Sequence, residues 1–192
     1  MNVSTKQYPR AVPIEKYKPT AIFLHWLLAI AIVAQAGLGV WMGDIPKGTP
    51  ERAYFFNLHK STGIVIALFI LWRIAVRLKN APPELPPMPN WQRIAAKISH
   101  YLLYACMIVL PLSGYIGSNF TKYGVKFFGY QIAPWGPENK AIYDIFNTTH
   151  TVAGKVMIGV ILIHIMAALK HWLIDKDTVM ARMLPGSTAK ES

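Results

Sequence analysis

The apolar residues of this chain fall in long unbroken blocks, not in the short alternations of a soluble fold. Residues 21–43 (AIFLHWLLAIAIVAQAGLGVWMG) carry no charge, and a helix needs roughly 20 such residues to cross a bilayer. Residues 98–118 (ISHYLLYACMIVLPLSGYIGS) form a second uncharged run, and residues 151–169 a third, marred only by Lys155. Residues 61–72 are a shorter run that continues through Arg73 to Leu78, where long cationic side chains can snorkel to the headgroups. The pattern predicts an all-α integral membrane protein of one domain, a bundle of four transmembrane helices. The expected spans are 21–43, 57–78, 95–118 and 145–174, with an external cap over 119–144.

Composition agrees with the pattern. Charged residues make up 15% of the chain, against about 25% in typical soluble domains. Ala34-Gln35-Ala36 resembles a leader cleavage motif, but the apolar run continues to Met42 and exceeds the length of a leader's hydrophobic region. The first run is therefore expected to stay as a membrane span.

Lysine and arginine set the orientation. The N-terminal segment (Lys6, Arg10, Lys16, Lys18), the end of helix two with its connection (Arg73, Arg77, Lys79, Arg93, Lys97) and the tail (Lys170, Lys176, Arg182, Lys190) together hold thirteen. The opposite side holds seven: Lys47, Arg52, Lys60, Lys122, Lys126, Lys140 and Lys155. Both termini are expected in the cytoplasm. The net charge of +11 is then mostly topology signal and calls for no nucleic-acid partner.

The lone cysteine, Cys106, excludes an internal disulfide, covalent haem attachment and an iron–sulfur cluster. It reads as a small core residue. APPELPPMPNW, residues 81–91, is too rich in proline to be helical throughout. Pro111 inside the third span should kink it. The tryptophans sit mostly near span ends, where an interfacial belt explains them.

Six histidines remain, five of them within or at the edge of a span. His25 and His100 lie near the cytoplasmic starts of helices one and three, and His59 and His150 open helices two and four from outside. His164 follows His150 by 14 residues, roughly 21 Å along the helix with about 40° of rotation between the rings. One face of helix four thus offers a ring at two depths. His59 can meet the outer ring, and either His25 or His100 the inner one. Two histidines from different helices at matched depth can grip a haem iron from both sides. His59 and His150 are each followed four residues later by glycine (HKSTG, HTVAG), one helical turn on the same face, leaving room for a flat ring system. A single histidine in a membrane more often hydrogen-bonds a neighbouring helix or relays a proton; the matched depths and the repeated spacing favour haem. Zinc fits poorly, since the rings spread over two depths without thiolates or carboxylates beside them.

The chain resembles the bacterial cytochrome b561 family. The resemblance is carried by FLHW around His25, NLHKSTG around His59, LFILWRIAVRLKNAPP, ISHYLLYACMIVLPLSGY around His100, and HTVAGKVMIGVILIHIMAALKHWLIDKDTVMARMLPG. It covers nearly everything except the first dozen residues and parts of the cap. The family implies two non-covalent b-type haems in a bacterial inner membrane, His25 paired with His164 on the cytoplasmic side and His59 with His150 on the periplasmic side. It also implies electron transfer, and the likeness is greatest to members that oxidise periplasmic superoxide and reduce ubiquinone.

Further residues have candidate roles. His100 and His171, the latter seven residues beyond His164, could line a quinone pocket below the inner haem, or be interfacial histidines without a ligand. Arg73 and Arg77, four apart on helix two, could both reach haem propionates or lipid phosphates. Lys122 and Lys126, with Lys60 and Arg52, could form a basic funnel that steers superoxide to the outer haem. Two other readings stand beside the diheme oxidoreductase: a cytochrome subunit anchoring a partner dehydrogenase or hydrogenase, and a haem-free histidine-lined metal or proton transporter.

Overall fold

The computed structural model of the chain describes residues 15–186. Lys6, Arg10 and Lys190, which entered the orientation count, lie outside the described residues. Four helices dominate: α1 (Pro19–Trp41), α2 (Pro50–Lys79), α3 (Asn90–Asn119) and α4 (Lys140–Lys170). All four are long and apolar enough to cross a membrane.

Helices α2, α3 and α4 each begin about five to seven residues before the expected spans, and local chemistry explains where. Thr49 accepts a hydrogen bond from Arg52 N at 3.2 Å, and Asn139 accepts one from Ile142 N at 3.1 Å. Such side-chain caps satisfy amide donors that the first helical turn leaves free. Pro50 stands in the first turn of α2, where its missing N–H costs nothing. The hydropathy pattern marks the membrane-spanning portion, whereas the caps mark the helix. Helix α3 runs through Pro111 without a break. The proline-rich stretch 81–89 carries no helix, as expected.

Helix α3 packs chiefly on α4, and α1 on α2, with α2 and α3 joining the two pairs. The shared core is Leu28, Ile70, Cys106, Met107 and Met157. Leu68, Leu71, Leu162, Ile163 and Met166 point outward and are exposed, the arrangement of a bundle solvated by lipid.

The external cap holds a short antiparallel hairpin, β1 (Val125–Phe127) and β2 (Tyr130–Ile132), with Val125 opposite Ile132. Its two-residue turn places both Phe128 (φ 46°) and Gly129 (φ 95°) in the left-handed region, which tight hairpin turns demand. The hairpin is fastened to α2. Ser61, 1% exposed, accepts from Phe128 N at 2.9 Å and lies within hydrogen-bond reach of the Asn57 and Lys126 carbonyls. Lys60 Nζ donates to Gly124 O at 2.8 Å.

Candidate haem-binding site

Helix α4 carries a histidine at each of two levels, and each meets histidines from other helices. At the outer level His150 faces His59 of α2, with ring centres 6.1 Å apart and ring planes at 83°. At the inner level His164 faces His25 of α1 at 6.2 Å and His100 of α3 at 5.6 Å. A metal bridging two imidazoles, with each metal–nitrogen bond about 2 Å long, places the ring centres roughly 6 Å apart. Both levels match that separation.

The outer pair is held by its surroundings. His150 Nδ1 lies 2.9 Å from the Leu110 carbonyl, which can only accept, so Nδ1 carries the proton. That fixes the tautomer and leaves the Nε2 lone pair for a metal, the usual orientation of an iron- or zinc-bound histidine. The contact requires Gly114, since a Cβ there would sit 3.0 Å from both Cε1 and Nδ1 of His150. Gly39 of α1 serves His59 likewise, with a Cβ reaching 3.1 Å from its Cε1. His59 Nδ1 is buried without a hydrogen-bond partner among the described residues. The level thus combines two facing imidazoles, one fixed tautomer and glycines that admit the rings, and it fits a bis-histidine haem.

These are not the glycines that the His-x-x-x-Gly spacing singled out. A Cβ at Gly63 would meet the Gln35 amide at 3.2 Å, and one at Gly154 only Leu110 at 3.9 Å. Gln35 fills that space with a purpose: its Nε2 donates to His59 O at 2.7 Å and its Oε1 accepts from Thr62 Oγ1 at 2.8 Å. The residue at the centre of the cleavage-like triplet therefore ties α1 to the His59 turn.

The inner level is cationic. Arg73 Nη2 lies 3.3 Å from His25 Nδ1, and its Nη1 donates to Ala21 O at 3.3 Å. Arg77 is exposed on the same helix, within electrostatic range of His100. Trp26 contacts the His25 ring edge-on at 5.3 Å. His100, the third ring, is exposed at the bundle surface. His171 ends α4 in a single π turn, its Nδ1 2.6 Å from Asp177 and 3.2 Å from Asp175. Its ring is thus held by carboxylates.

Of the expected basic funnel, Lys122 and Lys126 are exposed on the cap. The other two members are committed elsewhere. Lys60 holds the hairpin. Arg52 binds the carbonyls of Met42, Gly43 and Ile45 in the α1–α2 connection, its guanidinium over the Phe56 ring. The funnel reduces to the two exposed lysines.

A family described as prokaryotic cytochrome b561 matches residues 16–186, nearly the whole described chain and all the histidines. The chain belongs to the prokaryotic cytochrome b561 family. It is 27% identical over 173 residues to cytochrome b561 homolog 1 of Escherichia coli K12, covering 90% of this chain and 98% of that protein. It is 30% identical over 179 residues to cytochrome b561 homolog 2 of the same organism, covering 91% and 94%. A probable superoxide oxidase of Yersinia pestis, CybB, is 26% identical over 181 residues, covering 89% and 97%. Membership in the cytochrome b561 family makes this a multi-pass bacterial membrane protein of electron transfer with b-type haem. A haem-free transporter has no place in that family.

Proposed function

We propose that the chain is a diheme cytochrome that passes electrons from superoxide at the periplasmic face to ubiquinone in the membrane. The observation that carries this reading is the pair of cross-helix histidine sets, His59–His150 and His25–His164, spaced at 6.1 and 6.2 Å and separated along α4 by roughly 21 Å. A bound b-type haem supplies a one-electron relay that no side chain provides. The name of the Yersinia relative supports superoxide as the donor.

The residues divide the work. Lys122 and Lys126 attract the anionic substrate to the outer face. His59 and His150 hold the outer haem, His25 and His164 the inner one. Two superoxide ions each lose one electron and leave as oxygen; one ubiquinone takes both electrons and two protons and becomes quinol. His100 is open at the bundle surface beside His164; in this reading it hydrogen-bonds a quinone carbonyl arriving through the lipid and delivers a proton. His171, held by Asp175 and Asp177, is the second candidate for the quinone pocket and can pass protons from the cytoplasm.

Arg73 needs a different partner once haem is bound. As a neutral iron ligand through Nε2, His25 must carry its proton on Nδ1 and can no longer accept from Arg73. The guanidinium would then need an anion, which a haem propionate would supply. Arg77, exposed near the headgroups, takes lipid phosphate.

Superoxide-dependent reduction of ubiquinone by the purified protein in liposomes tests the reading. Catalysed quinol formation abolished by H59A supports it. Haem that dithionite reduces and superoxide does not would favour a cytochrome subunit anchoring a partner dehydrogenase or hydrogenase.

A further inference from the structure

Beyond α4 the chain turns back under the bundle. Lys176 adopts a left-handed conformation (φ 51°), Asp177 N donates to His171 O at 3.2 Å, and Asp177 Oδ1 accepts from Val179 N at 2.9 Å. The reversal brings a short 3-10 turn, Ala181–Met183, against the start of α1. Tyr17 N donates to Arg182 O at 3.4 Å, and Trp26 Nε1 to Met183 O at 2.7 Å. Because Trp26 also contacts the His25 ring, the tail closes the end of the bundle that holds the inner histidines.

Arg182 is the anomaly of this segment. It is 8% exposed, and its buried Nε has no hydrogen-bond partner among the described residues. The acidic groups nearby in sequence are engaged: Asp175 with Lys170 and His171, Asp177 with His171 and the Val179 amide. A guanidinium cannot shed its charge, and burial without an anion forfeits hydration for nothing in return. Such a group calls for an anion that none of the described residues is shown to supply.

We propose that Arg182 holds a carboxylate of the inner haem. The proposal rests on the haem reading of the His25–His164 level. A b-type haem brings two propionates; with Arg77 exposed toward the headgroups, Arg73 and the buried Arg182 are left to match them. Arg73 lies beside His25, and Arg182 is one residue from the carbonyl that binds the neighbouring Trp26. Arginine's planar fork suits a carboxylate, and a buried pair of this kind anchors the group and tunes its electronics. A lipid phosphate offers similar oxyanion chemistry but comes from the bilayer and not from the cofactor.

The test uses the full-length haem-loaded protein with Arg182→Gln and Arg182→Lys. Three quantities are read: the midpoint potential of each haem, the rate of haem transfer to apomyoglobin, and bound phospholipid by native mass spectrometry. In R182Q the inner haem's potential should fall, because a cation favours the reduced state, and its release should quicken several-fold. The outer haem should keep its potential and spectrum, which also reports that the bundle has folded. R182K should restore much of the potential and little of the retention, since it keeps the charge and loses the fork. Both inner-haem values unchanged in R182Q would overturn the proposal. So would loss of an anionic phospholipid with both haems unaffected, which would assign the guanidinium to a lipid. Absence of haem from the inner level of the unaltered protein would instead remove the histidine-pair reading on which the proposal rests.

Discussion

At the scale of single residues, the tightest constraints on the outer site come from glycines and not from its ligands. A methyl group at Gly114 would stand 3.0 Å from the His150 ring, tighter than most real Cβ contacts, and would shift the ring by a few tenths of an ångström against the Leu110 carbonyl. Overpacking of this kind costs about 1–3 kcal/mol. G114A is therefore expected to deplete the outer haem and spare the inner one, as read by haem content and redox titration. G39A should act in the same direction through His59. Equal loss of both haems would mean that Gly114 serves general helix packing. Gly114 was hidden in the sequence because glycines are common in membrane helices, and nothing local marks one that faces a histidine on another helix. The His-x-x-x-Gly spacing was legible but names Gly63 and Gly154, because it reports one helix's face and not the glycines of its neighbours. Arg182 was counted in the sequence only as a topology charge; its burial depends on the tail's reversal, which begins at a left-handed lysine that no propensity foretells.

Among the elements, the four spans were readable because lipid imposes a long uninterrupted apolar run. Their true starts were not, since the capping residues Thr49 and Asn139 lie well outside the apolar windows. The hairpin was legible only as a structured cap. Its attachment hangs on Ser61, a small polar residue at the head of an apolar run. S61A should strand the Phe128 amide without a partner, at about 1–3 kcal/mol. Residues 125–132 should then exchange amide hydrogens faster while the helices stay protected. Unchanged exchange there would show that the strand pairing alone holds the cap. The same cap carries Lys122 and Lys126. Reversing both charges should lower the second-order rate of haem reduction by superoxide, and rising salt should slow the unaltered protein as screening shortens the field. A stopped-flow rate indifferent to both would remove these lysines from substrate capture.

For the whole molecule, orientation and haem count are linked. If both termini are cytoplasmic, reporters fused after Ser192 and within the external cap must report opposite sides of the membrane. A periplasmic tail with a cytoplasmic cap would invert the assignment of inner and outer histidines, and matching sides would mean that α4 does not span. The depth pattern of the histidines was fully legible, because 14 residues on α4 fix both spacing and face. The choice between His25 and His100 was not. The structure brings both rings to His164, at 6.2 and 5.6 Å, and the first separation is the nearer to the 6.1 Å of the outer pair. The central claim, two haems held by four histidines, is tested most directly by haem stoichiometry per chain in the unaltered protein and in H59A, H150A, H25A and H164A. Two haems are predicted in the first and one in each variant, with H59A and H150A losing the same spectral component and H25A and H164A the other. A single haem in the unaltered protein, or loss of the inner haem in H100A but not in H25A, would contradict it.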